Sequence, residues 1–486
     1  MNDKTTNVRV NFIYSATYNI IAILIPLITT PYLTRTLGAI GLGEYGFAYA
    51  VAYYFSLFVK LGLNNYGGRE IAVLRGRGED VSLRFWELFF LQLSLGVIVS
   101  NIYILYSCTI SNSHTISIIF LLLVISSSFD ITWFFWGLEE FKITVMRDFI
   151  IKVLTTIGIF LLVKSEQDTW KYALLISGGL LLSQLLLWPS LHKYVVWKRP
   201  SINGVVKHIR PNLVLFLPII ALSLYKTMDK VMLGVMTTTE EVGYYHSSES
   251  VIQVPIALIT SLGTVMQPRM ANMVSSKTDP NVIRSVFEKS IFLAMFLSTS
   301  IGFGIMTVAR DFVPLFFGNG FEKCITLFEI LLPSCVFIAF ANVIRTQYLI
   351  PNKKDKEYVV SLFFGAIINL LFNSILIPYY GSIGTAFGTL LAEASVCIVQ
   401  SVMTRNVIKT GHLVFLSIPF VISGIVMYVI WNSTSFINDS NLYNLFMKII
   451  FAGATYLIIS AILLIIWKYL FKVDVLRGTK QNGKRF

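Results

Sequence analysis

A few ionisable and amide side chains stand inside long apolar stretches of this sequence, where each is expensive to keep. Lys60 ends "YGFAYAVAYYFSLFVK", Asp130 precedes "ITWFFW", and Lys226, Asp229 and Lys230 share "LYKTMDKVMLG". Glu249 follows in "HSSES", Asn369 and Asn373 bound "NLLFN", and Glu393 sits in "LLAEASV". A charge at the centre of a bilayer costs about 2.5–3.5 kcal/mol on insertion scales, so such groups face a bundle interior or water and mark polar passages. Asn369 and Asn373 lie four apart, on one helix face. Lys226, Asp229 and Lys230 share a face through separations of three and four. At 1.5 Å per residue Glu393 lies about 16 Å into its span, near the midplane, with no interface to escape to. Arg35, Arg69 and Arg345 fall near span ends and read as the mouth of a passage. A plainer reading stands beside each: Lys226–Asp229 as an internal salt bridge, Lys60 snorkelling to the interface, Asp130 anchored beside an aromatic belt of Trp133 and Trp136.

"LGAIGLGEYG" raises a different chemistry, because Gly41, Gly43 and Gly46 have the G-x-G-x-x-G spacing that cradles phosphates in dinucleotide-binding folds. That fingerprint needs a short preceding strand and an acidic residue about 20 positions on. Here a long apolar stretch holding Pro26 and Pro31 precedes it, Leu63 occupies the acidic position, and another apolar stretch follows at once. The glycines are expected instead where the chain reverses between two membrane helices, a place that calls for positive φ.

No catalytic constellation emerges. His114, His192, His208, His246 and His412 are scattered, no Gly-Lys-Ser/Thr occurs, and Cys108, Cys324, Cys335 and Cys397 lack metal-ligand spacing. No metal site or cofactor is expected.

The elements that position these residues follow from composition. Hydrophobic residues make up 55% of the 486 and charged residues 13%, with mean hydropathy +0.71. Soluble domains carry about 25% charge. No Asp, Glu, Lys or Arg occurs from Leu88 to Phe129, from Tyr358 to Ala392, or from Thr410 to Asn438. About 20 apolar residues cross a bilayer as a helix. Spans are expected at 11–34, 45–63, 86–106, 115–138, 149–163, 172–190, 212–235, 242–266, 290–309, 325–349, 358–378, 382–403, 413–431 and 445–467. Fourteen spans put both termini on one side. With that side cytoplasmic, roughly thirty Lys and Arg lie inside against roughly six outside, a strong positive-inside asymmetry. The net charge of +13 then reports orientation, and a nucleic-acid partner is not needed to explain it.

A repeat is visible. "TRTLGAIGLGEYGFAYA" is similar to "DKVMLGVMTTTEEVGYYHSSES": each has a basic residue, Arg35 or Lys230, shortly before a Leu-Gly pair, then Glu and a Gly/Tyr pair. The offset of about 196 residues spans six helices, the pattern of parallel transporter repeats with substrate held between them. The expected layout is an N-lobe of helices 1–6 (1–190), a basic cytoplasmic linker (191–211), a C-lobe of helices 7–12 (212–403), and helices 13–14 with a basic tail (404–486). Gly381, Gly384 and Gly388 give small-xxx-small spacing for close helix contact.

Several stretches together resemble the bacterial polysaccharide flippase family, the Wzx-type members of the MOP superfamily. They are "TTPYLTRTLGAIGLGEYGFA", "GLNNYGGREIA", "FDITWFFWGLEEFKI", "YKTMDKVMLG", "EEVGYYHSSE", "YLIPNKKDKEYVVS" and "NLLFNSILIPYYGSIGTAFGTLLAE". The resemblance implies an all-α polytopic membrane protein with two six-helix lobes around a central cavity plus two C-terminal helices. It implies a transporter and not an enzyme, one that moves an undecaprenyl-pyrophosphate-linked oligosaccharide from the inner to the outer leaflet of the bacterial cytoplasmic membrane. Lipid II flippases and MATE exporters are related branches. Within the family a basic central cavity meets the pyrophosphate, which makes Lys60, Lys226 and Lys230 candidates here, among acids that complicate the role. Glu393 or Asp130 is expected to couple H+ or Na+ if any ion is coupled, and the membrane potential is expected to assist. Expected partners are the lipid-linked glycan, the bilayer, and the polymerase and other assembly proteins of an O-antigen, capsule or teichoic-type pathway. A cation-coupled multidrug exporter and a membrane glycan polymerase or ligase are the competing readings. The shortness of the outer loops, near 164–171, 310–324 and 432–444, speaks against the last.

Overall fold

The computed structural model describes residues 8–111, 113–432, 434 and 441–471. The basic tail "GTKQNGKRF" and most of the outer segment 432–444 lie outside the described residues. All regular structure among those described is helical. Twelve helical stretches among them are long and apolar enough to cross a membrane. The fourteen expected spans fall on helical segments: Val8–Lys60 carries the first and most of the second, Phe141–Leu162, too charged to count among the twelve, carries nearly all of the fifth, and the fourth and tenth run across short breaks. The chain is a multi-pass membrane protein, and it divides into two compact units, residues 1–246 and 247–486.

The first unit opens with α1 (Val8–Lys60), α2 (Leu63–Gly76) and α3 (Ser82–Thr109), followed by α4 (His114–Ser128), α5 (Thr132–Gly137) and α6 (Phe141–Leu162). Next come α7 (Thr169–Leu185), α8 (Trp188–Leu191), α9 (Ile202–Val206) and α10 (Ile209–Met236), and α11 (Thr239–Ser275) begins here. Two expected spans lie in α1, which is two helices joined at Gly38 (φ 66°, ψ −177°). That backbone region is essentially open only to glycine. The positive φ expected of Gly41, Gly43 and Gly46 therefore belongs to Gly38 instead.

Those three glycines are helical and serve close approach. A Cβ on Gly41 would stand 2.6 Å from Thr169 Oγ1, and one on Gly46 3.2 Å from the His246 ring. On Gly43 it would meet the Thr239 carbonyl oxygen at 1.8 Å, and on Gly243 the Ala39 carbonyl oxygen at 1.9 Å. These last two contacts are reciprocal: Ala39 and Gly43 meet Gly243 and Thr239, their equivalents at an offset of 200. The Leu-Gly pairs are offset by 196, and "VMTTTEEVG" is four residues longer than "AIGLG". The nucleotide-like motif thus builds a backbone-to-backbone junction.

The second unit contains the rest of α11, then α12 (Pro280–Phe317), α13 (Lys323–Leu331) and α14 (Ser334–Ile344), whose end runs into a π-helical turn (Arg345–Leu349). It continues with α15 (Asp355–Tyr380), α16 (Ser382–Thr404), α17 (Thr410–Trp431) and α18 (Asn441–Phe471). α15 and α16 form a hairpin turning at Gly381 (φ 57°). α18 is tied to α12 by a buried 2.6 Å ion pair, Lys448–Asp311, and by Tyr456, whose hydroxyl meets Thr299 Oγ1 at 2.7 Å.

Candidate functional site

Two membrane helices of the first unit are interrupted, and the interruptions meet. α1 stops at Lys60, followed by Leu61 in the left-handed region (φ 46°) and Gly62. Gly62 is required by proximity, since a Cβ there would stand 2.5 Å from the Asn212 carbonyl oxygen of α10. The span expected at 115–138 breaks between α4 and α5, at 129–131. Non-helical backbone at membrane depth needs partners for its polar groups, and here side chains supply them. Gln92 donates to the carbonyls of Ser127 and Asp130, and Trp188 donates to that of Phe129.

Lys60 Nζ lies 2.6 Å from Asp130 Oδ2 across these breaks. Its position at the last residue of α1 sets a cation against the negative end of the helix. Asp130 Oδ1 accepts the backbone N–H of Thr132 at 3.0 Å as α5 begins. Neither residue behaves as the plainer reading proposed: Lys60 does not simply reach outward, and Asp130 is buried and charge-paired. The Lys60 side chain is 26% exposed and that of Asp130 6%, so protein seals the acid while the base is only partly covered. The aromatic belt is also corrected. Trp133 is fully buried, donates to Gln92 Oε1 at 3.2 Å and stacks with Phe85, while Trp136 is exposed. Trp133 packs inward because Gly67, with no Cβ, lets its ring approach α2.

A feature not singled out in the sequence leads toward the pair. Tyr45, Tyr49 and Tyr53 recur every four residues on α1, with ring centroids 6.0 and 6.4 Å apart and near-parallel planes. Tyr45 is buried, and Tyr49 and Tyr53 are half-buried. Lys60, seven residues beyond Tyr53, continues the same face. The i, i+4 spacing of tyrosines in "EYGFAYAVAYY" was the available signal.

The α10 residues do not form the expected ion pair. Lys226 is exposed and makes no ion pair among the described residues. Asp229 is buried and accepts a 2.7 Å bond from the Tyr245 hydroxyl of α11, and Lys230 is half-buried. Arg35 is exposed and donates to the Pro31 carbonyl, and Arg69 is exposed.

In the second unit Glu249 and Glu393 are half-buried. Arg345 donates to Asn342 and stacks over Tyr358 at 5.7 Å. Asn369 and Asn373 are fully buried, with Asn373 Nδ2 donating to Asn369 Oδ1 at 3.2 Å. They sit in the α15–α16 contact: a Cβ on Gly388 would stand 2.0 Å from Asn373 Oδ1. Gly384 packs likewise, at 2.5 Å from the Leu376 carbonyl oxygen. The amide pair is therefore packed inside the α15–α16 contact, where Gly388 makes room for it, and does not face an open passage. Gly388→Ala is expected to destabilise the protein by roughly 1–3 kcal/mol through overpacking, read as a lowered melting temperature in detergent.

Sequence reasoning missed a buried cluster in the first unit. Glu87, 5% exposed, lies 3.1 Å from both Lys207 Nζ and His208 Nε2, and Arg84 stands 3.7 Å away. His208 Nδ1 meets the Tyr66 hydroxyl at 2.8 Å. Through it the segment expected to be a linker packs onto α3, and Gly204 is pressed against Glu87. At the exposed edge Lys198 pairs with Asp80 at 2.6 Å, and that hydrogen bond with those from Ser82 holds the Asp80 carboxyl down to about 2.

Comparisons with known proteins agree with this architecture. Residues 8–274 match the sequence profile of a family described as "Polysaccharide biosynthesis protein". A protein of Escherichia coli (strain K12), named as a candidate O-antigen transporter, is 24% identical over 84% of this chain and 99% of its own length. A Haloferax volcanii protein, named as a candidate flippase of low-salt glycan biosynthesis, is 24% identical over 62% of this chain and 64% of its own. Among solved structures, the lipid II flippase MurJ in an inward closed conformation superposes with a TM-score of 0.66 at 16% identity, over 95% of this chain and 99% of that one. A multidrug resistance MATE family transporter of the MOP superfamily, inward-facing, gives 0.57 at 13% identity over 80% and 99%. At these identities the structures carry the fold.

Proposed function

Because the chain belongs to the polysaccharide biosynthesis protein family, we propose that it is a flippase for a lipid-linked glycan, and not an enzyme. Its substrate is an undecaprenyl-pyrophosphate-linked oligosaccharide, moved from the inner to the outer leaflet of the bacterial cytoplasmic membrane by alternating access. Both termini face the cytoplasm in this reading, which the Lys/Arg asymmetry supports. The polymerase and other assembly proteins act on the product.

The observation that carries this reading is the half-open Lys60–Asp130 pair at two helix breaks. A sugar head group with a diphosphate cannot cross hydrocarbon without losing hydration it cannot replace. A cation held at depth by one buried carboxylate, yet reachable from one side, offers that diphosphate a partner. An incoming phosphate competes with Asp130 for the ammonium, and Asp130 takes the ammonium back when the phosphate leaves. Of the tyrosines above Lys60, the half-buried Tyr49 and Tyr53 leave ring surface suited to sugar rings. Moving two negative charges out of a negative interior releases about 4–5 kcal/mol at ~100 mV, so the potential drives the outward step. Protons or sodium at Asp130 or Glu393 would add to it.

The test is reconstitution. Vesicles carrying the protein and a fluorescent undecaprenyl-pyrophosphate-linked oligosaccharide should expose the label to an external quencher, several-fold faster with the transported face negative inside. Equal rates with and without protein would remove the flippase reading, and equal rates with and without potential would remove the electrogenic step. Drug resistance on overexpression without glycan flipping would favour a multidrug exporter.

A further inference from the structure

The second unit holds two cavities stacked along the same helices. One, of about 510 Å³, lies at the span ends, where α11 stops, α12 starts and α16 turns into α17. Lys277, Arg284, Lys409 and His412 line it with one carboxylate, Glu288. Arg284 Nε holds Glu288 at 2.8 Å and His412 stands 3.8 Å from it, so the wall keeps a positive excess. Gln347 also lines this cavity, on the π-helical turn after α14. It is 1% exposed, and both atoms of its amide find no hydrogen-bond partner among the described residues. A buried amide with both ends unmet is a costly arrangement that a bound polar group relieves.

The other cavity, about 450 Å³, is walled by carbon from Met295, Phe340, Val402, Val414 and Val421. From Phe287 to Met295, from Gln347 to Phe340 and from Leu413 to Val421 the shared helices advance seven or eight residues. That is about 11 Å along each axis, so the apolar cavity sits directly deeper in the span than the basic one.

We propose that these two cavities hold one anionic phospholipid, its phosphate and glycerol in the basic cavity and an acyl chain in the apolar one. A free phosphate leaves the deeper cavity unused. A zwitterionic lipid brings its own cation against Lys277, Arg284 and Lys409. Basic pockets between helices at a membrane edge bind anionic head groups for this reason.

Ligand that binds only the folded state raises its melting temperature. The full chain in detergent, titrated with dioleoylphosphatidylglycerol, should melt several degrees higher, whereas dioleoylphosphatidylcholine and inorganic phosphate at equal concentration should leave it unchanged. The Lys277→Gln/Lys409→Gln pair should raise the half-saturating phosphatidylglycerol concentration at least ten-fold. Val414→Trp, at an exposed position facing the apolar cavity, should do the same by filling it. Gln347→Leu should stabilise the lipid-free protein while weakening the lipid response. Equal responses to the two lipids, an equal response to phosphate, or an unchanged half-saturating concentration in both charge and cavity variants would overturn the proposal. So would complete displacement of phosphatidylglycerol by undecaprenyl pyrophosphate, which would give the site to the transported lipid.

Discussion

Asp130→Asn is expected to lower glycan flipping at least about ten-fold, and Lys60→Met to lower it as far. Breaking a buried ion pair on one side costs about 3–5 kcal/mol, because the remaining charge is left without compensation. Lys60 is 26% exposed and Asp130 nearly sealed, so the two single variants are unequal: Lys60→Met strands a buried carboxylate and should lower the melting temperature more than Asp130→Asn. The informative variant is the double one. Removing both charges removes the stranded ion, so Lys60→Met/Asp130→Asn should regain most of the stability lost by Lys60→Met alone, a coupling that a double-mutant cycle reads directly. Flipping should not return with it, since no ammonium remains for the diphosphate. Recovery of both stability and flipping in the double variant would make the pair a structural tie and nothing more.

The charges inside apolar runs were legible because bilayer cost makes each of them conspicuous, and two of them, Lys60 and Asp130, do meet. Their meeting was not legible. It depends on breaks at Leu61–Gly62 and 129–131, and nothing in "FVKLGLNN" or "SSFDITWFF" announces a break, since Leu61 is not a residue that favours positive φ. Asn369 and Asn373 were conspicuous for the same reason as the charges, yet their amides fill a helix contact. Sequence spacing gives a face and not what covers it. The Glu87–His208 cluster joins positions 121 apart, beyond the reach of any local pattern. The span positions, by contrast, were fixed by composition alone, because membrane thickness sets a helix length that a sequence must fill with apolar residues.

Gly43→Val and Gly243→Val are each expected to prevent stable insertion or to lower the melting temperature by many degrees. A Cβ at either position would sit 1.8–1.9 Å from a backbone carbonyl oxygen, a separation no side-chain adjustment can relieve. The junction must open, and Ala39 and Thr239 must draw away from Gly243 and Gly43 together. Overpacking a well-formed contact costs about 1–3 kcal/mol; a clash with backbone on both partners belongs at or above the top of that range. Reciprocity gives a sharper expectation than the size. Because both glycines guard one contact, opening it for the first valine makes room for the second. Gly43→Val/Gly243→Val should therefore be much less destabilised than the sum of the singles, by 1 kcal/mol or more at the upper end of coupling between touching residues. Gly38→Ala is the control: its φ of 66° carries the strain and no atom lies within 4 Å of the added Cβ, so its cost should add to either valine without coupling. Strict additivity of the two valines would show that the two junctions are not one interface.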